Sequence, residues 1–387
     1  MMGVARVTPL KQGRGRRGDS FELVPSLKGS PPSLRILHWS RQLDAVLRDL
    51  TFDRVSVGGP KADRSQDLRF LAGVAERIRR LDVGPNVRDL SFLSELAELE
   101  DVSITGQPLD AIDFARLPRL RKCMLVKVPS LGRIGGAAIE DLTMFEVRVR
   151  DLSALRGMSR IRRLHLNELR QLASLEGVQG LPIEEVQLMY LRNLRSVAAL
   201  AAVPRLTKLE IVTAKSVDDL ARIGDIGPLR DLLLATGASL SSLEPLGSLR
   251  NLERLWLHNR EDAPPLSLVP LRQLQRLQVL GLFGVKGATD LECIGQLTAL
   301  RHLTIERGAA LPSLTFLRPL KSLRELCLRR TRITDGNLGI VLELPQLTRV
   351  YEITPALKHY SHSLEELRAL LQAREETRRG PARDEGG

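Results

Sequence analysis

The chain has 387 residues, of which 43% are hydrophobic and 3% aromatic, and its formal net charge at pH 7 is +12. This composition excludes a wholly disordered chain. The three cysteines, Cys123, Cys293 and Cys327, are scattered, so they form neither a disulfide framework nor a metal-binding spacing. No run of 18 apolar residues and no signal-peptide pattern occurs, so we expect a soluble cytoplasmic protein without a membrane partner.

Residues 1–30 predict a flexible basic leader. Residues 1–20 carry five basic side chains and one acidic side chain. The segment from Gly13 to Gly18 matches G-x-G-x-x-G, but no strand precedes it and no helix follows, so it predicts no dinucleotide site. Its arginines could contact RNA or an acidic surface, although a solvated tail or an over-long start is the favoured interpretation.

Residues 31–78 predict an N-terminal cap together with the first repeats. Two short amphipathic helices are expected, over 40–50 and 65–78. Their predicted apolar faces are Leu43, Val46, Leu47 and Leu50 in the first, and Leu68, Leu71, Ala72 and Ala75 in the second.

A repeated phrase, L-x-x-L-x-L, organises residues 79–357 and extends into the cap. Its clearest copy runs from Leu252 to Leu257, and we number its residues as positions 1 to 6. Fifteen copies recur about every 22 residues, a spacing typical of a solenoid. They begin at Leu34, Phe52, Ile78, Leu99, Leu120, Ile139, Ile161, Ile183, Leu206, Leu229, Leu252, Leu277, Leu300, Leu323 and Leu347.

The alternation within the phrase predicts a strand. Leu255 and Leu257 should point to the core, and Arg254 and Trp256 away from it. A second apolar pair after each strand should form the other wall of the core. These pairs include Leu172/Leu175, Leu194/Val197, Leu240/Leu243 and Leu311/Leu314.

In these copies the chain resembles the leucine-rich repeat family, and within it the bacterial, internalin-like short repeats. The resemblance covers about residues 31–357. It implies an α/β fold, a curved solenoid with a parallel β-sheet on the concave face and short helical turns or loops on the convex face. The usual Asn at position 9 is present only as Asn86, so the other turns must satisfy their backbone groups differently.

The C-terminal segment predicts a capping helix over 358–379. Ser363-Leu364-Glu365-Glu366 matches a capping box, and the helix should continue to about Arg378 with Leu364, Leu367, Leu370 and Leu371 on its apolar face. A docking helix for a partner is the less favoured alternative, because terminal repeats need caps. Residues 380–387 predict a disordered tail.

Charges alternate in sign at two outward positions of successive strands. Position 3 runs Arg80, Asp101, Lys122, Asp141, Arg163, Glu185, Lys208, Asp231 and Arg254, and position 2 nearly repeats this order from Arg79 to Glu253. Because neighbouring strands lie about 4.8 Å apart, we predict lateral ion pairs that fix the register. A structural role is favoured over a binding role.

Other outward positions predict a protein-binding site. The candidate anchors are Met124, Phe145, Met189, Tyr190, Leu233, Trp256 and Phe283, since aromatic and methionine side chains are frequent interface anchors. The alternative is that these side chains only stack on one another. Arginines toward the C-terminus, including Arg307, Arg329 and Arg330, could add an acidic-ligand or phosphate contact.

The sequence contains no recognisable catalytic, cofactor-binding or metal-binding motif. Its six histidines lack nucleophile or ligand spacing, and no G-x-S-x-G, P-loop or H-E-x-x-H motif occurs. We therefore expect a non-enzymatic scaffold that holds an unidentified protein against its concave face. Two alternatives remain: nucleic-acid or acidic-ligand binding through the leader and the C-terminal arginines, and a substrate-recruiting subunit of a separate enzyme.

Overall fold

The computed structural model describes residues 21–24, 32–37, 40, 43, 46–48, 52, 54–59, 68–212, 221–235, 242–260, 263–285, 290–308, 310–354 and 356–379. The predicted basic segment 1–20 and the tail 380–387 lie outside these residues. The chain divides into two compact units, Met1–Ile139 and Glu140–Gly387.

The described residues of the first unit form six strands in chain order. They are β1 (Phe21–Val24), β2 (Ser33–Ile36), β3 (Val55–Val57), β4 (Arg80–Val83), β5 (Asp101–Thr105) and β6 (Lys122–Val126). Each of β2 to β5 pairs in parallel with the next, whereas β1 is antiparallel to β2. Short 3-10 helices connect them, at Arg69–Arg77, Ser91–Glu95, Phe114–Arg116 and Ile134–Gly136.

The described residues of the second unit form ten parallel strands, again in chain order. They are β7 (Asp141–Phe145), β8 (Arg163–Asn167), β9 (Glu185–Met189), β10 (Lys208–Val212), β11 (Asp231–Ala235), β12 (Arg254–His258), β13 (Val279–Phe283), β14 (His302–Glu306), β15 (Glu325–Arg329) and β16 (Arg349–Ile353). The described helices of this unit are 3-10 helices at Ser153–Leu155, Ala198–Ala202, Ala221–Asp225, Glu244–Ser248, Val269–Gln273, Thr315–Leu317 and Gly339–Glu343, and α-helices α1 (Glu292–Gly295) and α2 (Leu364–Arg379). This is the predicted α/β leucine-rich repeat architecture of a parallel sheet backed by short helical turns.

The predicted alternation of each strand is confirmed by burial. Leu255 and Leu257 are fully buried, whereas Arg254 is exposed and Trp256 is partly exposed. The second apolar wall is also present, because Leu172, Leu175, Leu194, Val197, Leu243, Leu311 and Leu314 are all buried. Leu240 lies outside the described residues. Stacked repeats thus bury leucines that a single strand would leave in water.

The turns after the strands show how the backbone is satisfied without the usual asparagine. Position 9 holds buried apolar side chains such as Val147, Leu169 and Leu191. Position 8 takes the left-handed conformation, with φ of 54° at Glu168 and 56° at Tyr190. Each of these residues donates its backbone N–H to the next repeat, as in Glu168 N to Met189 O at 3.0 Å and Tyr190 N to Val212 O at 2.9 Å. Main-chain hydrogen bonds between repeats therefore satisfy backbone N–H groups in turns that lack the usual asparagine side chain.

Short side chains start most of the 3-10 helices. Ser153 N donates to Asp151 Oδ1 at 2.9 Å, and Ala198 N donates to Ser196 Oγ at 3.1 Å. The same two-residue contact recurs from Asp89, Asp113, Ser174, Ser242, Ser267, Ser313 and Asn337. These residues close Asx-type and Ser/Thr-type turns, which lie at the entry of a 3-10 helix in every case except Ser174.

The N-terminal region differs from its prediction in three respects. Residues 21–24 form β1, so the expected leader 1–30 contains a strand. Leu34 pairs with Val55, which is a position-4 residue, so the phrase predicted to begin at Leu34 is displaced by three residues. The helix predicted over 65–78 is a 3-10 helix that buries Leu71 and Val74 and exposes Ala72, because its period is close to three residues.

The C-terminal capping helix is present as α2. Ser363 N donates to Glu366 Oε2 at 2.7 Å, and Glu366 N donates to Ser363 Oγ at 3.1 Å, which is the reciprocal capping box. These bonds lower the pKa of Glu366. Leu367 and Leu371 are buried, but Leu370 is 47% exposed, which corrects the predicted apolar face.

Candidate functional site

The side of the second-unit sheet that points away from the core is called the outer face here. Its middle column is position 5, where strand register aligns Leu233, Trp256, Gly281, Thr304 and Cys327 on β11 to β15. Large side chains therefore stand at the start of this column and small ones follow. The change in size creates room on β13 to β15.

An aromatic cluster occupies this part of the outer face. The rings of Trp256 and Phe283 are 5.8 Å apart and tilted by 32°, and His258 stacks on Phe283 at 4.0 Å. The imidazole of His302 lies 6.2 Å from Trp256 and 6.2 Å from Tyr351. The aromatic cluster thus comprises Trp256, His258, Phe283, His302 and Tyr351. Ring contacts at these distances are favourable beyond the area that they bury.

Gly281 sets the position of the tryptophan. A Cβ on Gly281 would lie 2.0 Å from Trp256 Cε3 and 2.4 Å from Cζ3. The indole therefore lies across β13 in the space that any other residue would fill. The stacking that the sequence left as an alternative is real, yet Trp256 and Phe283 both keep part of their surface exposed.

A β-bulge presents Tyr351. Leu326 pairs with Val350 but Cys327 pairs with Glu352, so Tyr351 is the extra residue of β16. Its side chain is 47% exposed. Arg368 of α2 donates to the carbonyl oxygens of Val350, at 2.9 Å, and of Tyr351. The capping helix thereby holds the bulge, a device that commonly re-aims a side chain.

Burial shifts the pKa of two titratable groups on this face, His258 and Cys327. Burial lowers the pKa of His258, so its ring is neutral at pH 7 against Phe283. Burial, followed by the nearby Glu352, raises the pKa of the Cys327 thiol. A protonated thiol is a poor nucleophile. Cys327 therefore serves as a small floor residue of the face.

The structure separates the other predicted apolar anchors. Phe145 and Met189 are partly exposed on β7 and β9, with Asn167 between them in register. Leu233 is partly exposed and lies beside Trp256. Tyr190 is 44% exposed but stands in the left-handed turn after β9. Met124, which is 46% exposed, belongs to the first unit.

The C-terminal arginines are less uniformly available than their sequence suggests. Arg329 lies 3.7 Å from Glu306 and 3.3 Å from Glu352. Arg307 and Arg330 occupy left-handed turn positions with φ of 52°, and Arg307 also contacts Glu306 at 3.7 Å. The expected basic cluster therefore contains paired and exposed members.

The predicted charge ladder exists in the second unit. Arg163 contacts Asp141 at 3.1 Å, and Arg254 contacts Asp231 at 2.9 Å. Hydrogen bonds, first from Glu210 and then from Glu185, raise the pKa of Lys208 to about 12. Position 2 adds the pairs Arg162–Glu184 and Arg230–Glu253. These contacts neutralise the ladder strip from β7 to β12.

Sequence reasoning missed two features of the aromatic cluster. His302 stands at position 3, where the alternating charges directed attention, and its Nδ1 contacts Glu325 Oε2 at 2.7 Å. Tyr351 is not among the anchors predicted from the sequence. The sequence signal for the cluster was Gly281, an outward glycine with Trp256 on the neighbouring strand and Phe283 on its own strand. A glycine at such a position indicates that a ring lies over the backbone.

Among the described residues, no group of three or more His, Cys, Asp or Glu side chains is arranged to hold a metal ion. Within the described ranges, no helix is both long enough and apolar enough to cross a bilayer.

Solved structures share this fold. An internalin of Listeria monocytogenes is 18% identical, with 85% of this chain and 91% of that chain covered and a TM-score of 0.54. A second Listeria monocytogenes internalin, C2, is 20% identical, with 55% of this chain and 80% of that chain covered and a TM-score of 0.40. A leucine-rich repeat protein of Leptospira interrogans is 16% identical, with 73% of this chain and 86% of that chain covered and a TM-score of 0.43.

No protein-family model matches the sequence, and no curated protein matches it at a significant level. The first internalin has a TM-score of 0.54, and at 18% identity it shows the fold and nothing further. Together with the parallel strands of each unit, it confirms the resemblance to internalin-like leucine-rich repeats at the level of the fold.

Proposed function

We propose that this chain is a non-enzymatic scaffold that binds a protein partner on the outer face of its second unit. The supporting observation is the aromatic cluster, in which rings held by Gly281 and by the β16 bulge remain partly exposed. Rigid aromatic side chains are typical interface anchors, because little conformational entropy is lost when they bind. Recruitment of a substrate to a separate enzyme is one form of this function.

Nucleic-acid binding is the less supported candidate. Ladder carboxylates such as Asp231 and Glu253 interrupt the basic side chains of the outer face. A phosphate backbone crossing these strands would meet negative charge at alternate positions. The predicted leader contribution comes from residues outside the described ranges.

The chemistry of the thiols supports a reducing compartment. All three cysteines are free, and Cys123 and Cys293 are buried. We therefore propose a bacterial cytoplasmic location, since free cysteines are typical of reducing compartments.

The test is a comparative capture experiment. The baits are the intact protein, a Trp256→Ala/Phe283→Ala variant and a Leu370→Ala control, which removes an exposed apolar side chain of α2. Circular dichroism verifies that all three fold. We expect one protein to be retained by the intact and control baits and lost from the first variant. Equal recovery by all three baits would refute the proposal that the aromatic cluster binds the partner. Loss of the captured material after nuclease treatment would favour nucleic-acid binding.

A further inference from the structure

The alternation of charge that holds along the ladder fails next to the aromatic cluster. At position 2, arginine and glutamate alternate from Arg79 to Glu184, and after Thr207 the pair Arg230 and Glu253 follows, with a contact of 2.6 Å. Two strands further on, Arg301 and Arg324 occupy this position in neighbouring repeats. Arg324 N donates to Arg301 O at 2.8 Å, so their backbones are directly adjacent. Like charges on adjacent strands are destabilising when no counter-charge is present.

The nearest carboxylate is already committed. Glu325 contacts His302 Nδ1 at 2.7 Å through one oxygen and Arg349 Nη1 at 3.3 Å through the other. Among the described residues, no carboxylate lies within ion-pair distance of the Arg301 or Arg324 guanidinium group. Both side chains are exposed. This edge of the face therefore carries two adjacent guanidinium groups without internal neutralisation.

The two arginines adjoin the aromatic cluster. Arg301 immediately precedes His302, the ring between Trp256 and Tyr351. Thr304 and Cys327 provide a low floor beside these rings, because Thr304 is only 8% exposed and both side chains are small. An apolar floor with cations along one edge fits a ligand that is apolar at one point and anionic at a neighbouring point.

We propose that the partner docks through an acidic segment, placing an apolar side chain against the aromatic cluster and carboxylates on Arg301 and Arg324. This inference rests on the proposed protein-binding function and names the chemistry of its partner. Guanidinium groups bind carboxylates through paired hydrogen bonds. A protein segment fits better than a phosphate polymer, because the cationic edge is short and Glu253 occupies the same position two strands earlier.

The test uses a displayed library of random twelve-residue peptides and the full-length protein. The intact protein is compared with Arg301→Glu/Arg324→Glu, with Trp256→Ala/Phe283→Ala, and with Arg250→Glu/Arg272→Glu. The last variant makes the same change in charge at exposed arginines outside the outer face. Selected peptides are resynthesised, and their affinities are measured at low and high salt.

We expect the intact protein and the control to select peptides with an apolar residue flanked by carboxylates. Arg301→Glu/Arg324→Glu should lower the affinity for these peptides roughly tenfold or more. Added salt should lower the affinity of the intact protein for the same peptides. Selection of apolar peptides without enrichment in acidic residues would overturn the inference of an acidic segment. It would leave the proposed protein-binding function of the aromatic cluster unaffected. Failure to select any peptide, or tighter binding of a single-stranded oligonucleotide than of the best peptide, would overturn the inference.

Discussion

Gly281 leaves the space in which the indole of Trp256 lies. Because a Cβ would approach Cε3 to 2.0 Å, the Gly281→Ala variant must move the ring away from His302. The φ of Gly281 is not in the left-handed region, so the backbone itself tolerates alanine. We expect the free energy of unfolding to change by no more than about 1 kcal/mol, while partner capture falls as it does in Trp256→Ala.

Tryptophan fluorescence measures this displacement. In a Trp39→Phe background the emission reports only Trp256, the other tryptophan of the chain. The Gly281→Ala change should shift the emission, whereas Gly136→Ala, where no atom lies within 4 Å of the added Cβ, should leave it unchanged. An unshifted spectrum would show that the ring is not held by the glycine.

Glu168 tests the left-handed turns. Its φ of 54° is costly for a β-branched residue, so Glu168→Val should lower the free energy of unfolding by about 1–2 kcal/mol. Its ion pair with Arg170, at 3.8 Å and largely exposed, contributes little. Glu168→Gly removes the same carboxylate and tolerates the angle. Urea unfolding should therefore separate the two variants, and equal destabilisation would contradict the role of φ.

These residues also mark where sequence reasoning stops. Leucine spacing predicts which side chains are buried, because alternation and stacking determine that directly. It does not predict that Glu168 and Tyr190 turn left-handed, since the conformation follows from bonds to the next repeat. The position of the Trp256 ring depends on a glycine one repeat away, and only the register brings the two together.

At the level of elements, the ladder ties neighbouring strands by opposite charges. Arg163→Asp would oppose Asp141 with a like charge and should lower the free energy of unfolding by about 1 kcal/mol or less, since both groups are partly exposed. Adding Asp141→Arg restores an opposite pair and should recover most of this loss. Urea unfolding of the two single variants and the swap gives the coupling, and additive effects would argue against a direct pair.

Element identity was more predictable from sequence than element geometry. The capping box identifies the start of α2 because Ser363 and Glu366 bond reciprocally within one turn. The segment Arg69–Arg77 is helical as predicted, but it adopts a 3-10 helix and therefore buries Val74 instead of Ala72. Short helices leave the choice between periods of 3.0 and 3.6 to the packing against the core, which the local pattern does not contain.

At the scale of the molecule, the repeat explains both the fold and the distribution of function. Stacked units bury leucines on one side of each strand and leave the other side to vary without loss of the core. On the outer face, strands β7 to β12 carry ion pairs at these positions. Strands β12 to β16 carry the aromatic rings. In the proposed function those variable positions select the partner, so the leucine spacing predicts the fold but not the ligand.

The final strand needs protection because a stacked sheet leaves an open edge. Three arginines of α2 donate to carbonyl oxygens of the 3-10 helix Gly339–Glu343, of β16 and of the segment between them: Arg374 Nη1 to Leu342 at 3.0 Å, Arg368 Nε to Val350 at 2.9 Å and Arg378 Nη1 to Pro345 at 2.5 Å. Leu367 and Leu371 are buried beneath the helix. Burial of two leucines alone stabilises by about 3 kcal/mol or more.

A chain truncated after His362 should therefore unfold at a lower temperature and self-associate, since an open strand edge pairs with other chains. It should also lose partner capture, because Arg368 no longer holds the bulge that presents Tyr351. A control ending at Arg379 keeps the whole of α2 and should match the intact protein in both respects. Thermal melts and size-exclusion chromatography over a range of concentrations make the comparison. A monodisperse truncated chain with an unchanged melting temperature would show that the last repeat is stable without its cap.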